Sequence, residues 1–187
     1  MQLSEIRVTG FGGQGVILSA MIIGRAAAIY EGGHATLTQS FGPEARGGAS
    51  GAQVILSDQP ILYPYVTQPD VLVVMSQEAC TRFAPEVKPG GTLIAEEDLV
   101  RLSPNNGIRT HRVPATRLAE ELGKRMVLNI VMVGFFCAVA GLLGTESLRR
   151  AIAGSAPANT RDLNLRAFET GYEYGASVPV ALPQTAC

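Results

Sequence analysis

The stretch from Val8 to Leu18, VTGFGGQGVIL, decides the fold class. Ile6 and Val8 alternate with polar residues before the glycines, and an apolar pattern at helical spacing continues from Val16 to Ile29. This order predicts a strand, a tight glycine loop and a helix. Glycines allow an anion to approach the backbone closely, and the start of the helix offers free N–H groups and the positive end of its dipole. The stretch therefore predicts a phosphate-binding loop, whose candidate binding residues are Gly12, Gly13, Gln14 and Gly15.

The same loop reads G-x-G-x-x-G through Gly10, Gly12 and Gly15. A site for NAD also needs an acidic residue about 20 positions later, at the end of the second strand. The predicted second strand, residues 34–40, ends without an acid, and Glu31 precedes it. An ordinary NAD site is therefore disfavoured. A glycine turn that only lets a helix pack tightly on a sheet is the alternative.

A second loop of small residues follows the second strand, from Ser40 to Ser50. It is suited to lie close against a ligand or another chain, so Ser40 and Arg46 are further candidates for ligand binding. Arg46 is the one cation in the loop. Its guanidinium either binds a phosphate or carboxylate, or pairs with Glu44 of the same loop.

The remaining pattern predicts an α/β fold in a single Rossmann-like domain. A mostly parallel sheet is flanked by helices, and the C-terminal part is helical. Further strands are predicted at 51–56, 71–75, 92–95 and 107–113, and helices at 78–87, 115–125, 145–153 and 159–175. An interrupted extended segment at 61–66 is expected at a sheet edge, and the acidic residues 96–98 are expected in a solvated turn. The domain spans residues 1–176, and residues 177–187 are expected to form an extended or disordered tail.

An uncharged apolar segment, residues 126–143, is at the lower edge of the length of a membrane span. It follows an α/β pattern, carries Asn129 and has no second span, so it predicts a buried helix instead. Being apolar all round, this helix is expected to be covered by the sheet on one side and by another subunit on the other.

Composition narrows the classes of function. Of 187 residues, 17% are charged, where about 25% is usual, so part of the surface is expected to be covered by partners. The net charge of −1 predicts no attraction to nucleic acid or to an anionic membrane. The three scattered cysteines favour reduced thiols in a cytoplasmic protein and predict no metal or iron–sulfur site. No catalytic motif is recognised, and the two histidines, His34 and His111, fall in separate predicted strands, so a binding module without catalytic residues is expected.

Four motifs taken together resemble the gamma subunit of 2-oxoacid:ferredoxin oxidoreductases. They are the first glycine loop at 10–15, the SFGPEARGG stretch at 40–48, the PDVLV stretch at 69–73 and the SQE stretch at 76–78. The resemblance extends from about Ile6 to Tyr174. The order and spacing of the two glycine loops make it specific.

The resemblance implies that the assembled enzyme decarboxylates a 2-oxoacid on thiamine diphosphate, sends electrons through iron–sulfur clusters to ferredoxin, and transfers the acyl group to coenzyme A. It implies that this chain contributes to coenzyme A binding at the glycine loop and holds no cofactor alone. Thiamine diphosphate and the clusters belong to partner subunits, namely alpha, beta (thiamine diphosphate) and delta (ferredoxin-type).

The 2-oxoglutarate branch is nearest, so the expected reaction converts 2-oxoglutarate, coenzyme A and oxidised ferredoxin to succinyl-CoA, CO2 and reduced ferredoxin. The alternatives are a pyruvate, 2-ketoisovalerate or indolepyruvate enzyme, or a stand-alone nucleotide-binding module.

Overall fold

The chain folds around one six-stranded sheet, with the strand order β2-β3-β1-β4-β5-β6. The computed structural model describes residues 2–43, 47–102 and 107–178. The strands are β1 (Ser4–Phe11), β2 (His34–Phe41), β3 (Ala49–Ser57), β4 (Val71–Val74), β5 (Thr92–Glu96) and β6 (Arg109–Val113).

The sheet is mixed. β1, β4, β5 and β6 pair in parallel, whereas β2 pairs antiparallel with β3, and β3 pairs antiparallel with β1. β2 and β3 are joined directly by residues 42–48, a connection too short for a crossover helix, and such strands form an antiparallel hairpin. The predicted α/β class is confirmed, but the parallel arrangement does not extend to this hairpin. The carboxyl ends of β1, β2 and β4 and the amino end of β3 consequently lie together at one end of the strands, where the loops that follow β1 and β2 meet.

Helices cover both faces of the sheet unequally. They are α1 (Val16–Arg25), α2 (Gln77–Phe83), α3 (Ala115–Glu121), α4 (Leu128–Ala140), α5 (Thr145–Ser155) and α6 (Arg161–Ser177), and α1 continues as a π-helical turn over Ala26–Tyr30. α1 and α3 to α6 share one core with alternate strand residues such as Val73 and Ile94. α2 packs on the opposite face with Leu72 and Leu93. The helical C-terminal part predicted from the sequence is confirmed.

α4 is the apolar segment of the sequence, and residues 128–137 are all buried. Its outer side is covered by α6 of the same chain, because Gly134 and Gly171 let the two helix backbones touch. The expectation that another subunit covers this side is therefore wrong. Among the described residues, no helix has both the length and the apolar character needed to cross a membrane.

Three smaller expectations need correction or restriction. Glu96 is not in a solvated turn: it is 0% exposed, and its carboxylate accepts hydrogen bonds from the N–H groups of Leu99 at 2.7 Å and Thr116 at 2.9 Å. Residues 61–66 do not join the sheet as a strand. The predicted tail lies outside the described residues from 179 onward, and α6 extends to Ser177.

Candidate functional site

The first glycine loop is a tight turn between β1 and α1. The N–H of Gln14 donates to the carbonyl oxygen of Phe11 at 3.2 Å, which closes the turn. Gly13 has a φ of +93° and Gly15 a φ of +73°, and residues with a Cβ rarely adopt this left-handed backbone conformation. These two glycines are therefore required by the path of the chain, and the space around a Cβ at Gly13 is open to at least 4 Å.

The side chain of Gln14 is bound at both ends by the chain itself. Its Oε1 accepts a hydrogen bond from the N–H of Phe11 at 2.6 Å, and its Nε2 donates to the carbonyl oxygen of Met75 at 2.8 Å. Met75 directly follows β4, so Gln14 ties the loop to the next parallel strand. The side chain therefore holds the shape of the loop, a role that the sequence did not indicate.

The two glycine loops meet. The N–H of Gly12 donates to the carbonyl oxygen of Gly48 at 2.8 Å and joins the loops, and within the second loop the N–H of Gly42 donates to the carbonyl oxygen of Ala49 at 2.7 Å. Between the loops lies a groove of about 390 Å³, which we call the glycine groove. Its lining includes Gly12, Gly13, Gly15, Phe41, Gly47 and Gly48.

The N-terminus of α1 opens on the glycine groove. Its N-cap residue is Gly15, no side chain caps the helix, and its first turn holds no acidic residue. The first N–H groups of an α-helix have no partner within the helix and carry the positive end of its dipole. The groove therefore presents backbone donors and no opposing carboxylate from this turn, which suits an anion.

A second cavity of about 190 Å³ lies at the same end of the strands, beside α2. We call it the serine cavity, because Ser40, Ser50 and Ser76 line it together with Glu78 and Arg82. It shares the walls Phe11, Phe41, Gly42, Ala49 and Ser50 with the glycine groove. The two cavities therefore adjoin each other at this end of the strands.

Arg82 is a site residue that the sequence analysis did not name. Its guanidinium lies over the ring of Phe83, 4.9 Å from the ring centroid. Ser76 accepts a hydrogen bond from the N–H of Ala79 at 3.3 Å and so starts α2, which places Arg82 on that helix beside the cavity. The available signal was the spacing, because Arg82 follows Glu78 of the SQE motif by one helical turn.

The predicted binding residues separate into three groups. Gly12, Gly13 and Gly15 line the glycine groove, whereas Ser40 lines the serine cavity and sits beside Gly51 of β3. Gln14 holds the loop through its hydrogen bonds to Phe11 and Met75. Arg46 and Glu44 lie outside the described residues, so the two alternatives for the Arg46 guanidinium, a ligand or Glu44, stay predictions.

Neither cavity is lined by the two histidines, His34 and His111, or by the two described cysteines, Cys80 and Cys137. Burial lowers the pKa of His111 in β6, with a further contribution from the charge of Arg109, and burial raises the pKa of Cys137 to about 11. Cys80 and Cys137 are free thiols buried in the core. Within the described ranges, no group of three or more His, Cys, Asp or Glu residues is placed to hold a metal ion. The two adjoining cavities thus combine backbone N–H groups at a helix start with hydroxyl groups and one guanidinium among the described lining residues.

Comparisons with known proteins identify the family of the chain. Residues 5–174 match the pyruvate ferredoxin/flavodoxin oxidoreductase family. The chain belongs to this family. The 2-oxoglutarate synthase subunit KorC of Methanocaldococcus jannaschii is 46% identical over 90% of this chain and 92% of its own length. Relatives from the ketoisovalerate and pyruvate branches match at 35% and 33% identity.

Solved structures share the fold. The gamma subunit of the keto/oxoacid ferredoxin oxidoreductase of Geobacter sulfurreducens superposes with a TM-score of 0.83 and 38% identity, covering 94% of this chain and 99% of that subunit. The 2-oxoglutarate:ferredoxin oxidoreductase of Magnetococcus marinus, with 2-oxoglutarate, coenzyme A and succinyl-CoA bound, matches with a TM-score of 0.85 and 23% identity, over all of this chain and 33% of that one. The resemblance to gamma subunits seen in the sequence is confirmed.

Proposed function

We propose that this chain is the gamma subunit of a 2-oxoglutarate:ferredoxin oxidoreductase and that its glycine groove binds the pyrophosphate of coenzyme A. Alpha, beta and delta subunits would supply the thiamine diphosphate and iron–sulfur chemistry, and the chain alone would be inactive. The similarity to KorC supports the choice of 2-oxoglutarate.

The observation that carries the proposal is the hydrogen bond between the N–H of Gly12 and the carbonyl oxygen of Gly48. It brings two glycine loops, 36 residues apart in sequence (48 minus 12), together at the N-terminus of α1. Backbone N–H groups at a helix start bind phosphate oxygens, and glycines leave room for a bulky anion. Gln14 contributes by holding the loop, while Gly13 supplies the open space, since a Cβ built there would meet nothing within 4 Å.

A substitution of Gly13→Asp tests the proposal in the assembled enzyme. A carboxylate there would occupy the open space of the groove and repel the pyrophosphate. We expect kcat/KM for coenzyme A to fall at least about tenfold, equivalent to about 1.4 kcal/mol, while the KM for 2-oxoglutarate stays unchanged. The measurement is steady-state ferredoxin reduction at varied coenzyme A.

Two control variants separate charge from backbone strain. Gly13→Ala places a methyl group at the same φ without charge and should lose less activity. Gly123→Asp, at a φ of +88° and also in open space, introduces the same strain and charge away from both cavities. Unchanged coenzyme A kinetics in Gly13→Asp, or equal losses in Gly13→Asp and Gly123→Asp, would refute coenzyme A binding at the glycine groove.

A further inference from the structure

Arg82 has an exposed guanidinium without an ionic partner among the described residues. It stacks on one side of the Phe83 ring, while the guanidinium of Arg7 lies over the same ring at 4.6 Å from the centroid. Arg7 instead forms an ion pair with Glu86, which neutralises its charge. The contact with the Phe83 ring holds Arg82 in place, and Arg82 lines the serine cavity.

Arg82 is also the only cation among the described residues that line the glycine groove or the serine cavity. The glycine groove offers neutral backbone donors, which suit a pyrophosphate close to a helix start. The serine cavity instead combines one guanidinium with the hydroxyl groups of Ser40, Ser50 and Ser76. A guanidinium and hydroxyl groups are the donor set that binds a phosphomonoester, which carries close to two negative charges at pH 7.

Glu78 is the one acidic residue of the same lining and lies one helical turn before Arg82. No ion pair joins the two within 4.0 Å, so the guanidinium remains available to a ligand. A carboxylate accepts hydrogen bonds and opposes a phosphate, so Glu78 is suited to a ribose hydroxyl or an adenine amino group.

We propose that Arg82 binds the 3′-phosphate of coenzyme A in the serine cavity. The inference rests on the proposed function, since it requires the pyrophosphate to lie in the adjoining glycine groove. The ribose that carries the 3′-phosphate is attached directly to the pyrophosphate. It therefore enters the neighbouring space across the shared walls Phe11, Phe41 and Ser50. Arg82 thereby selects coenzyme A over analogues that lack this group.

The experiment compares coenzyme A with 3′-dephospho-coenzyme A in the assembled enzyme carrying Arg82→Met. Methionine keeps the apolar stem but not the charge, and the residue is exposed on its helix, so folding is preserved. We expect kcat/KM for coenzyme A to fall roughly 10- to 100-fold, the loss typical of a charge-assisted hydrogen bond. The value for dephospho-coenzyme A should stay the same, so the preference of the enzyme for coenzyme A disappears.

Arg150→Met is the matched control. Arg150 is likewise exposed on a helix and stacks on an aromatic ring, that of Tyr30 at 4.4 Å, but it lines neither cavity. It should leave both kinetic constants unchanged. Arg82→Lys keeps a point charge without the planar fork and should retain part of the preference.

Three results would overturn the assignment. One is a wild-type enzyme that does not distinguish the two coenzymes, and another is an Arg82→Met enzyme that keeps the wild-type preference. The third is an increase in the KM for 2-oxoglutarate alone, which would identify the carboxylate of the oxoacid as the anion at Arg82. If Gly13→Asp impairs both coenzymes while Arg82→Met keeps the preference, only this inference fails and the proposed function stands.

Discussion

At the scale of single residues, Gln14 and His111 show how the fold gives a polar side chain its role. Gln14 satisfies both ends of its amide on backbone atoms of β1 and of the residue that follows β4. His111 lies in β6 at 6% exposure, with its Nδ1 unpartnered among the described residues and its ring edge-on to Phe135 at 6.3 Å. The first residue shapes the binding loop, and the second makes stability depend on pH.

We expect His111 to destabilise the folded chain as the pH falls. Burial and the nearby charge of Arg109 lower the pKa of His111 in the folded state, while the unfolded chain binds a proton near pH 6.5. The unfolded state therefore binds more protons below that pH, and the free energy of unfolding decreases until the pH passes the lowered pKa. The loss is about 1.4 kcal/mol for each unit of lowering.

Urea unfolding of wild type and His111→Leu at pH 7.5 and 5.5 measures this loss. The variant should lose less stability between the two pH values, because it has no imidazole to protonate. His34→Leu removes the exposed histidine at the start of β2 and should behave as wild type. The same pH dependence in wild type and His111→Leu would contradict the prediction.

At the scale of elements, the contact between α4 and α6 depends on glycine. A Cβ built on Gly134 would overlap the carbonyl oxygen of Phe168, and one built on Gly171 would overlap that of Val131. The two helices are therefore in backbone contact, which is how α6 covers an apolar helix that otherwise would face solvent. A residue larger than glycine does not fit at either position unless the two helices move apart.

We expect Gly171→Ala to destabilise the chain although alanine is the better helix former. Overpacking of a well-packed core costs about 1 to 3 kcal/mol, and the obstacle here is backbone that cannot move aside independently, so the loss should be near the upper value. Urea unfolding provides the measurement, with Gly24→Ala in α1 as control. There the new methyl group would meet Ala35 at 3.7 Å, an ordinary contact, so stability should be unchanged or rise by up to about 1 kcal/mol. Equal effects of the two changes would show that the helices can separate at little cost.

At the scale of the whole molecule, one exposed apolar segment matches the low charge content of the chain. Leu62 is 96% exposed and Tyr63 61% exposed, and the ring of Tyr63 packs edge-on against that of Tyr65 at 5.5 Å. The segment is anchored at Val66, whose N–H donates to Gln53 Oε1 at 2.9 Å. An ordered apolar projection of this kind is typical of a surface that a partner protein covers.

We expect Leu62→Asp to weaken retention of this chain in the enzyme complex proposed above, with little effect on its own folding. The charge would have to be buried without a partner, so the dissociation constant should rise at least about tenfold. Co-purification at decreasing protein concentration measures the effect. Gln59→Asp adds the same charge at an exposed turn without removing apolar surface and should assemble normally. Normal assembly of Leu62→Asp would place the interface elsewhere.

The amino-acid sequence by itself determined the α/β class, the position of most strands and helices, the two glycine loops and the family. These features depend on local periodicity and on glycines whose backbone conformation other residues rarely adopt. Only the tertiary structure decided the antiparallel hairpin of β2 and β3, the burial of Glu96, the covering of α4 by α6 and the placement of Arg82 beside the serine cavity. Each of these depends on contacts between residues distant in the chain, and local patterns do not encode which distant groups become neighbours.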